Sequence, residues 1–343
     1  MRTIAGLSAS FRCRDGSRIR GVENKYRIPL APVNGVERFH GLPGRAMTLR
    51  DIHAAIGRFR EAAGRSRTAG MDGIELHASN GYLFTQFLSS AINKRKDEYG
   101  GPLANRARFL LDVVRAIRAE VGDDYHLQVK INAADHHDDY FLNSGKGNTL
   151  AEGIQVAQWL EAAGVDALHI STGSQFPHPR NPIGPLPAES AVDTYTAMIR
   201  SGRLSFLNYL SFRLLPTRAL ARWLWARKQP LLREGVNLAE CRAIKEAVTI
   251  PVLCTGGFQT ASVIRRAISD GECDGVTIAR PLIANPDLPI IFASGADTAS
   301  RPCTYCNKCL AHVLTDPLGC YDESRYDTYE AMIEEIMQIF NES

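Results

Sequence analysis

From Thr48 onward the chain alternates between two periods. Stretches with apolar residues three and four apart predict amphipathic helices, and short β-branched or aliphatic runs between them predict strands. Thr48 is the expected N-cap of a helix that Gly70 closes, with Ile52, Ile56 and Phe59 on its apolar face. Strands are predicted at 72–76, 127–131, 167–171, 251–255 and 275–279. Helices are predicted from about Asn105 to Glu120, from about Leu150 to Ala163, and near 238–248 and 260–269. Phe109, Val113, Val114 and Ile117 give the second helix its buried face. Strands alternating with helices of this length imply βαβ units and a parallel sheet. Each strand is followed at once by polar or glycine residues. In a parallel α/β barrel those residues sit at the mouth, where chemistry rather than packing decides residue identity.

Three regions lie outside this alternation. Residues 1–47 are rich in Gly, Pro and Arg, and Ile28-Pro-Leu-Ala-Pro allows at most a short edge segment, since proline cannot donate into a ladder. Residues 188–235 carry the apolar and basic run LSFLNYLSFRLLPTRALARWLWARKQPLL, with breaks expected at Arg213, Pro216 and Arg218. That run reads as a helical lid over the mouth, the alternative being an amphipathic segment at a membrane surface or against a partner. Residues 301–343 form a cysteine-rich segment and a C-terminal helix. The expected organisation is therefore an irregular 1–47, a barrel over 48–300 with the 188–235 insertion, and the 301–343 tail.

Composition narrows the function classes. At 343 residues the chain is long enough for one large α/β barrel, and 45% hydrophobic with 22% charged residues is ordinary for a globular protein. A net charge of +3 gives no footprint for nucleic acid. No apolar run reaches the roughly 20 residues of a membrane span, and the N-terminus lacks the apolar core of a secretory signal. Four of the eight cysteines fall in 303–320, which reads as thiols or metal ligands in a cytoplasmic protein rather than as disulfides.

The richest stretch is DGIELHASNGYLFTQFLSSAINKRKDEYGGPLANR, residues 72–106. His77-Ala-Ser-Asn80-Gly-Tyr82-Leu, Gln86-Phe-Leu, Asn93-x-Arg95-x-Asp97-x-Tyr99-Gly100-Gly101 and Asn105-Arg106 together resemble the Old Yellow Enzyme family of FMN-dependent ene-reductases. The resemblance implies a TIM (β/α)8-type barrel. Five strands are three short of closure, so the first strands are expected to be missing through truncation, or rebuilt by residues 1–47. It also implies NADH or NADPH as reductant and a small enone-type substrate. The sequence is compatible with a homo-oligomer as well.

By the same resemblance, His77 and Asn80 donate hydrogen bonds to the substrate carbonyl oxygen, an oxyanion-hole role, and Tyr82 protonates the adjacent carbon. All three are placed just past the end of strand 72–76. Lys130 stands where the family usually has an arginine beside the flavin; it keeps the charge and loses the planar fork. Gly256 and Gly257 after one strand, and Ala279-Arg280-Pro281-Leu282 after the next, resemble the family's phosphate site, with Ala279 in place of the usual glycine. Asn93, Arg95, Asp97, Tyr99, Gly100, Gly101, Asn105 and Arg106 are read as a loop-fixing network. His136, His137, Asp138 and Asp139 are read as a solvated loop, His169 as facing the barrel interior, and His178 as lining the mouth. Cys303-x-x-Cys306-Asn307-x-Cys309, with Cys320, could hold zinc or [4Fe–4S]. The segment is similar to that of 2,4-dienoyl-CoA reductases, with its third and fourth cysteines displaced. The rivals to an ene-reductase are thus an iron–sulfur flavoenzyme of that type and a non-catalytic remnant.

Overall fold

The expected helix after Thr48 forms because its first turn closes on itself. Thr48 Oγ1 accepts from the Asp51 amide at 3.1 Å, and the Asp51 carboxylate accepts from the Thr48 amide at 2.9 Å. The helix runs Leu49–Thr68 and ends at Gly70, whose φ of 78° suits a residue without a side chain. This computed structural model describes residues 30–36, 43–136, 147–174, 177–198, 203–231, 233–313 and 316–341.

Three short strands come first: β1 (Leu30–Ala31), β2 (Gly35–Val36) and β3 (Pro43–Ala46), in the order β1-β3-β2. Five parallel strands follow in sequence order: β4 (Gly73–Ala78), β5 (His126–Asn132), β6 (Ala167–Ser171), β7 (Val252–Thr255) and β8 (Gly275–Thr277). The five make an arc of a (β/α)8-type barrel. Among the described residues the arc does not close, and β1–β3 form a separate small sheet. The loop-fixing network joins the two sheets: Arg95 Nη1 donates to the carbonyls of Pro32 and Met47, at 2.9 and 2.7 Å.

Strand alternation separates two chemistries. Leu76, Ala78, Leu127, Val129, Ile131, Leu168, Ile170, Val252 and Cys254 point outward and are fully buried against the helices. Helix Leu103–Val121 supplies Phe109, Val113, Val114 and Ile117, the face expected from its periodicity. The intervening residues, Glu75, His77, Gln128, Lys130, Asn132, His169, Ser171, Thr255 and Thr277, line the inner face.

Several boundaries differ from expectation. His77 lies within β4 rather than past it, because pairing with β5 continues through His77↔Lys130 and Ala78↔Ile131. A short helix, Leu83–Leu88, starts directly after Tyr82. The 188–235 insertion holds three helices, Ser190–Met198, Arg203–Arg213 and Leu215–Arg227. The break expected at Arg218 does not occur. Pro216 sits in the first turn of the last helix, where a missing N–H costs nothing. Of the polar loop 136–139, residues 137–139 lie outside the described residues. Among the described residues no helix is long and apolar enough to cross a membrane.

Arg106 is the hub of the loop-fixing network. Its side chain is buried and donates to Leu88 O (2.8 Å), Gly101 O (2.9 Å), Asn148 Oδ1 (3.0 Å) and Glu152 Oε1 (2.6 Å). Arg106→Leu should cost about 3–5 kcal/mol, since it strands a carboxylate and two carbonyls. Urea denaturation measures this. A loss within about 0.5 kcal/mol, the range of an ordinary surface substitution, would show the network to be dispensable.

Candidate active site

Ladder register brings His77 and Lys130 side by side on the inner face, with His169 as the β6 partner of Lys130. The Ser79 amide donates to His77 Nδ1 at 3.3 Å. That assigns Nδ1 as acceptor in the neutral ring and leaves the proton on Nε2, a donor available to a ligand. Burial, helped by the charge of Lys130, lowers the His77 pKa from 6.5 to about 4, so the ring is neutral at neutral pH. Tyr82 packs edge-on against it, ring centroids 4.6 Å apart at 74°, and is 38% exposed.

Asn80 is buried and left-handed, with φ of 59°. Its Nδ2 donates to Ser171 Oγ (3.2 Å) and Thr172 O (3.0 Å), and its own amide donates to Asn132 Oδ1 (3.2 Å). Both side-chain N–H groups are thus used to tie the loop after β4 across the ends of β5 and β6. In this arrangement His77 is the donor left open on the inner face, and Asn80 fixes the loop that directly follows it.

Lys130 is partly buried, and desolvation lowers its pKa while Glu75 opposes the shift. Among the described residues it makes no ion pair. Beside it runs a polar belt that sequence reasoning did not single out as a unit. His169 Nδ1 pairs with Glu75 Oε2 at 2.8 Å, and its Nε2 contacts Thr255 Oγ1 and lies 2.8 Å from Thr277 Oγ1. Gln128 Nε2 also donates to Glu75. Reading every second residue of the five strands as one face would have found the belt.

The predicted phosphate elements meet in space. Gly257 has φ of 75°, and a Cβ there would stand 2.3 Å from Arg233 O, so only glycine fits. Tyr305 Oη donates to Gly257 O at 2.6 Å. Ala279 is the N-cap of helix Arg280–Ala284. Arg280 is partly buried; its Nη1 donates to Ile183 O and Asn307 Oδ1, and its guanidinium lies 5.4 Å from the Tyr305 ring centre. Burial lowers its pKa, while the thiols of Cys303, Cys309 and Cys306 favour its charge. Among the described residues its Nε and Nη2 make no hydrogen bond. A partly buried lysine that makes no ion pair among the described residues, open guanidinium donors and a glycine cradle fit an anionic flavin mononucleotide.

The cysteines do not fit a metal as placed. Cys303, Cys306, Cys309 and Cys320 are free and partly buried. Among the described residues no group of three or more His, Cys, Asp or Glu side chains is arranged to hold an ion. Burial raises the pKa of Cys303 and Cys306 and pushes Cys309 up to about 12. The loop between them is strained, with Tyr305 at φ 61° and Asn307 at φ 64°. His178 is buried beside the cis Asn181–Pro182 peptide.

A titration tests the electrostatics of this site. The unfolded imidazole of His77 binds its proton near 6.5 and the folded one near 4. Between those values the unfolded state binds more protons, so this group's contribution to stability rises with pH and is lost on acidification through the window. Lys130→Met should raise the His77 pKa yet leave it below 6.5, because burial, the larger cause, persists. Imidazole NMR shifts measure this, and an unmoved pKa would remove Lys130 as a cause.

Comparison with known proteins agrees with this geometry. The sequence profile of the NADH:flavin oxidoreductase / NADH oxidase family matches residues 22–194. An NADH oxidase from Thermoanaerobacter brockii is 34% identical over 279 residues, covering 81% of this chain and 35% of that protein. A cinnamate reductase from Clostridium sporogenes is 29% identical over 294 residues, 82% of this chain and 37% of that protein. A 2-naphthoyl-CoA reductase solved with 2-naphthoyl-CoA superposes with a TM-score of 0.64 at 28% identity, over 85% of this chain and 37% of its own. The chain spans a little over a third of the length of each of these three proteins.

Proposed function

Because the chain belongs to the NADH:flavin oxidoreductase / NADH oxidase family, we propose that it holds FMN at the ends of β4–β8 and reduces the C=C bond of α,β-unsaturated carbonyl compounds with NADH or NADPH. The observation that carries the reading is Lys130, a partly buried cation with no ion pair among the described residues, beside a neutral His77 that presents Nε2–H. FMN bound there would supply the hydride chemistry that links the nicotinamide to the alkene.

The chain's own side chains then have distinct tasks. Lys130 supplies positive charge where a reduced flavin is anionic. His77 donates from Nε2 to the substrate carbonyl oxygen and stabilises the enolate that develops there. Being neutral, it donates without giving up a proton. Tyr82, half-exposed at the edge of that ring, holds the phenolic proton delivered to the adjacent carbon. Asn80 keeps both in place through Ser171, Thr172 and Asn132. Gly256, Gly257 and Arg280 would take the phosphate. The name of the cinnamate reductase relative, an enzyme named for a compound with a conjugated C=C bond, supports the substrate class.

A second reading, an iron–sulfur flavoenzyme of the dienoyl-CoA reductase type, draws on the thiols of Cys303, Cys306 and Cys309 within electrostatic reach of Arg280, and on Cys320 within reach of those three. Counting iron, acid-labile sulfide and zinc in purified protein separates it from the first.

The visible absorption spectrum is the primary test. Stoichiometric FMN released by heat is expected; a folded, colourless protein that takes up no added FMN overturns the reading and leaves a non-catalytic remnant. His77→Ala should weaken the binding of phenols, which mimic the enolate, by about tenfold or more. Unchanged phenol affinity in flavin-loaded protein would remove His77 from the oxyanion role.

A further inference from the structure

Helices Arg203–Arg213 and Leu215–Arg227 turn an apolar face to water. Phe206, Leu207, Leu214, Leu215, Leu220 and Trp223 are each 45–68% exposed. The opposite face of the second helix is already satisfied: Ala221 and Trp225 pack on Leu186 and Ala188, with Phe212 beside them. Trp225 Nε1 donates to Gly184 O at 2.8 Å, which fastens the helix to the loop over the strand ends. The outward residues are therefore not the ones that hold the insertion to the body.

Charge along this region is one-sided. Residues 194–233 contain eight Lys and Arg and no Asp or Glu, whereas the rest of the chain has thirty-two basic against thirty-seven acidic residues. Arg218 and Arg222 reach Glu189, just ahead of the first helix of the insertion, Ser190–Met198. Arg213, Arg227 and Lys228 stand at the helix ends bordering the apolar face, and Arg227 lies 4.6 Å from the Trp223 ring centre.

We propose that this face docks on an anionic lipid surface, with the leucines and Trp223 entering the headgroup boundary and the flanking cations meeting lipid phosphates. Tryptophan and arginine with leucine on a short amphipathic helix suit that boundary, where each ring or guanidinium has one apolar and one wet side. Neither helix is long enough to span a bilayer, so the chain lies on the surface. A second copy fits poorly, because a two-fold contact through this face would oppose two segments of the same charge. The proposal is independent of whether FMN binds.

Co-flotation of the full chain tests it, using vesicles of phosphatidylcholine alone and of phosphatidylcholine with an equimolar share of phosphatidylglycerol. Binding to the anionic vesicles should exceed binding to the neutral ones by about tenfold and fall as salt rises. The exposed double variants Leu220→Ser/Trp223→Ser and Arg213→Glu/Arg227→Glu, checked for folding by circular dichroism, should each lower it about tenfold. Wild-type protein left unbound by both vesicles overturns the proposal, as does binding that neither variant changes. A concentration-dependent dimer abolished by Trp223→Ser also overturns it, assigning the face to self-association.

Discussion

The arrangement depends on a single constraint, the strict alternation of five parallel strands whose two faces face different worlds. One face must be aliphatic because helices cover it, and Leu76, Val129, Ile170 and Val252 are correspondingly closed to water. The other is then free to be polar, and from Glu75 to Thr277 it is mostly so, with Leu253 and Ala167 the apolar residues among them. A one-residue slip in the β4–β5 ladder would put a carboxylate or an ammonium into the helix interface, so register is held by burial and not by hydrogen bonding alone. The same register sets His77 next to Lys130. The electrostatics of the candidate site is thus a by-product of packing on the far side of the sheet.

Polar side chains on the inner face do two kinds of work. Some join elements: Asn80 crosses from β4 to β6, and the Glu75–His169–Thr255–Thr277 belt spans four of the five strands. Others are left with capacity: the ammonium of Lys130, Nε2 of His77, two donors of Arg280. Groups of the first kind are rigid because each one satisfies the next. Groups of the second kind carry an unspent desolvation cost that a ligand of opposite charge would offset.

Much of the fold was legible in the sequence, because it is written in periods. The helix faces of Ile52 and Phe109, the Thr48 cap and the five strands follow from spacing and from the residues that stop each run. Boundaries were less legible: β4 extends through His77 because its neighbour keeps pairing, which no local rule reports. The site was readable as a set of residues and not as a set of bonds. Asn80 looks like an open donor in the sequence, yet Ser171 and Thr172, some ninety residues away, take both its hydrogens. Arg280 is likewise shared with Asn307 and Ile183 by contacts between distant loops. The four cysteines suggest an ion by spacing, while their side chains do not converge.

Gly184 sets how closely the cysteine loop can be approached. Its φ is 122°, and a side-chain carbon there would stand 1.9 Å from the Tyr305 carbonyl oxygen. Gly257 is held in the same way, against Arg233. A chain that keeps the Tyr305 carbonyl where it is must therefore keep glycine at 184, and one that keeps the Arg233 carbonyl where it is must keep glycine at 257. A side chain at either position would oblige the facing backbone to move, so each glycine sets how closely two distant stretches of backbone can meet.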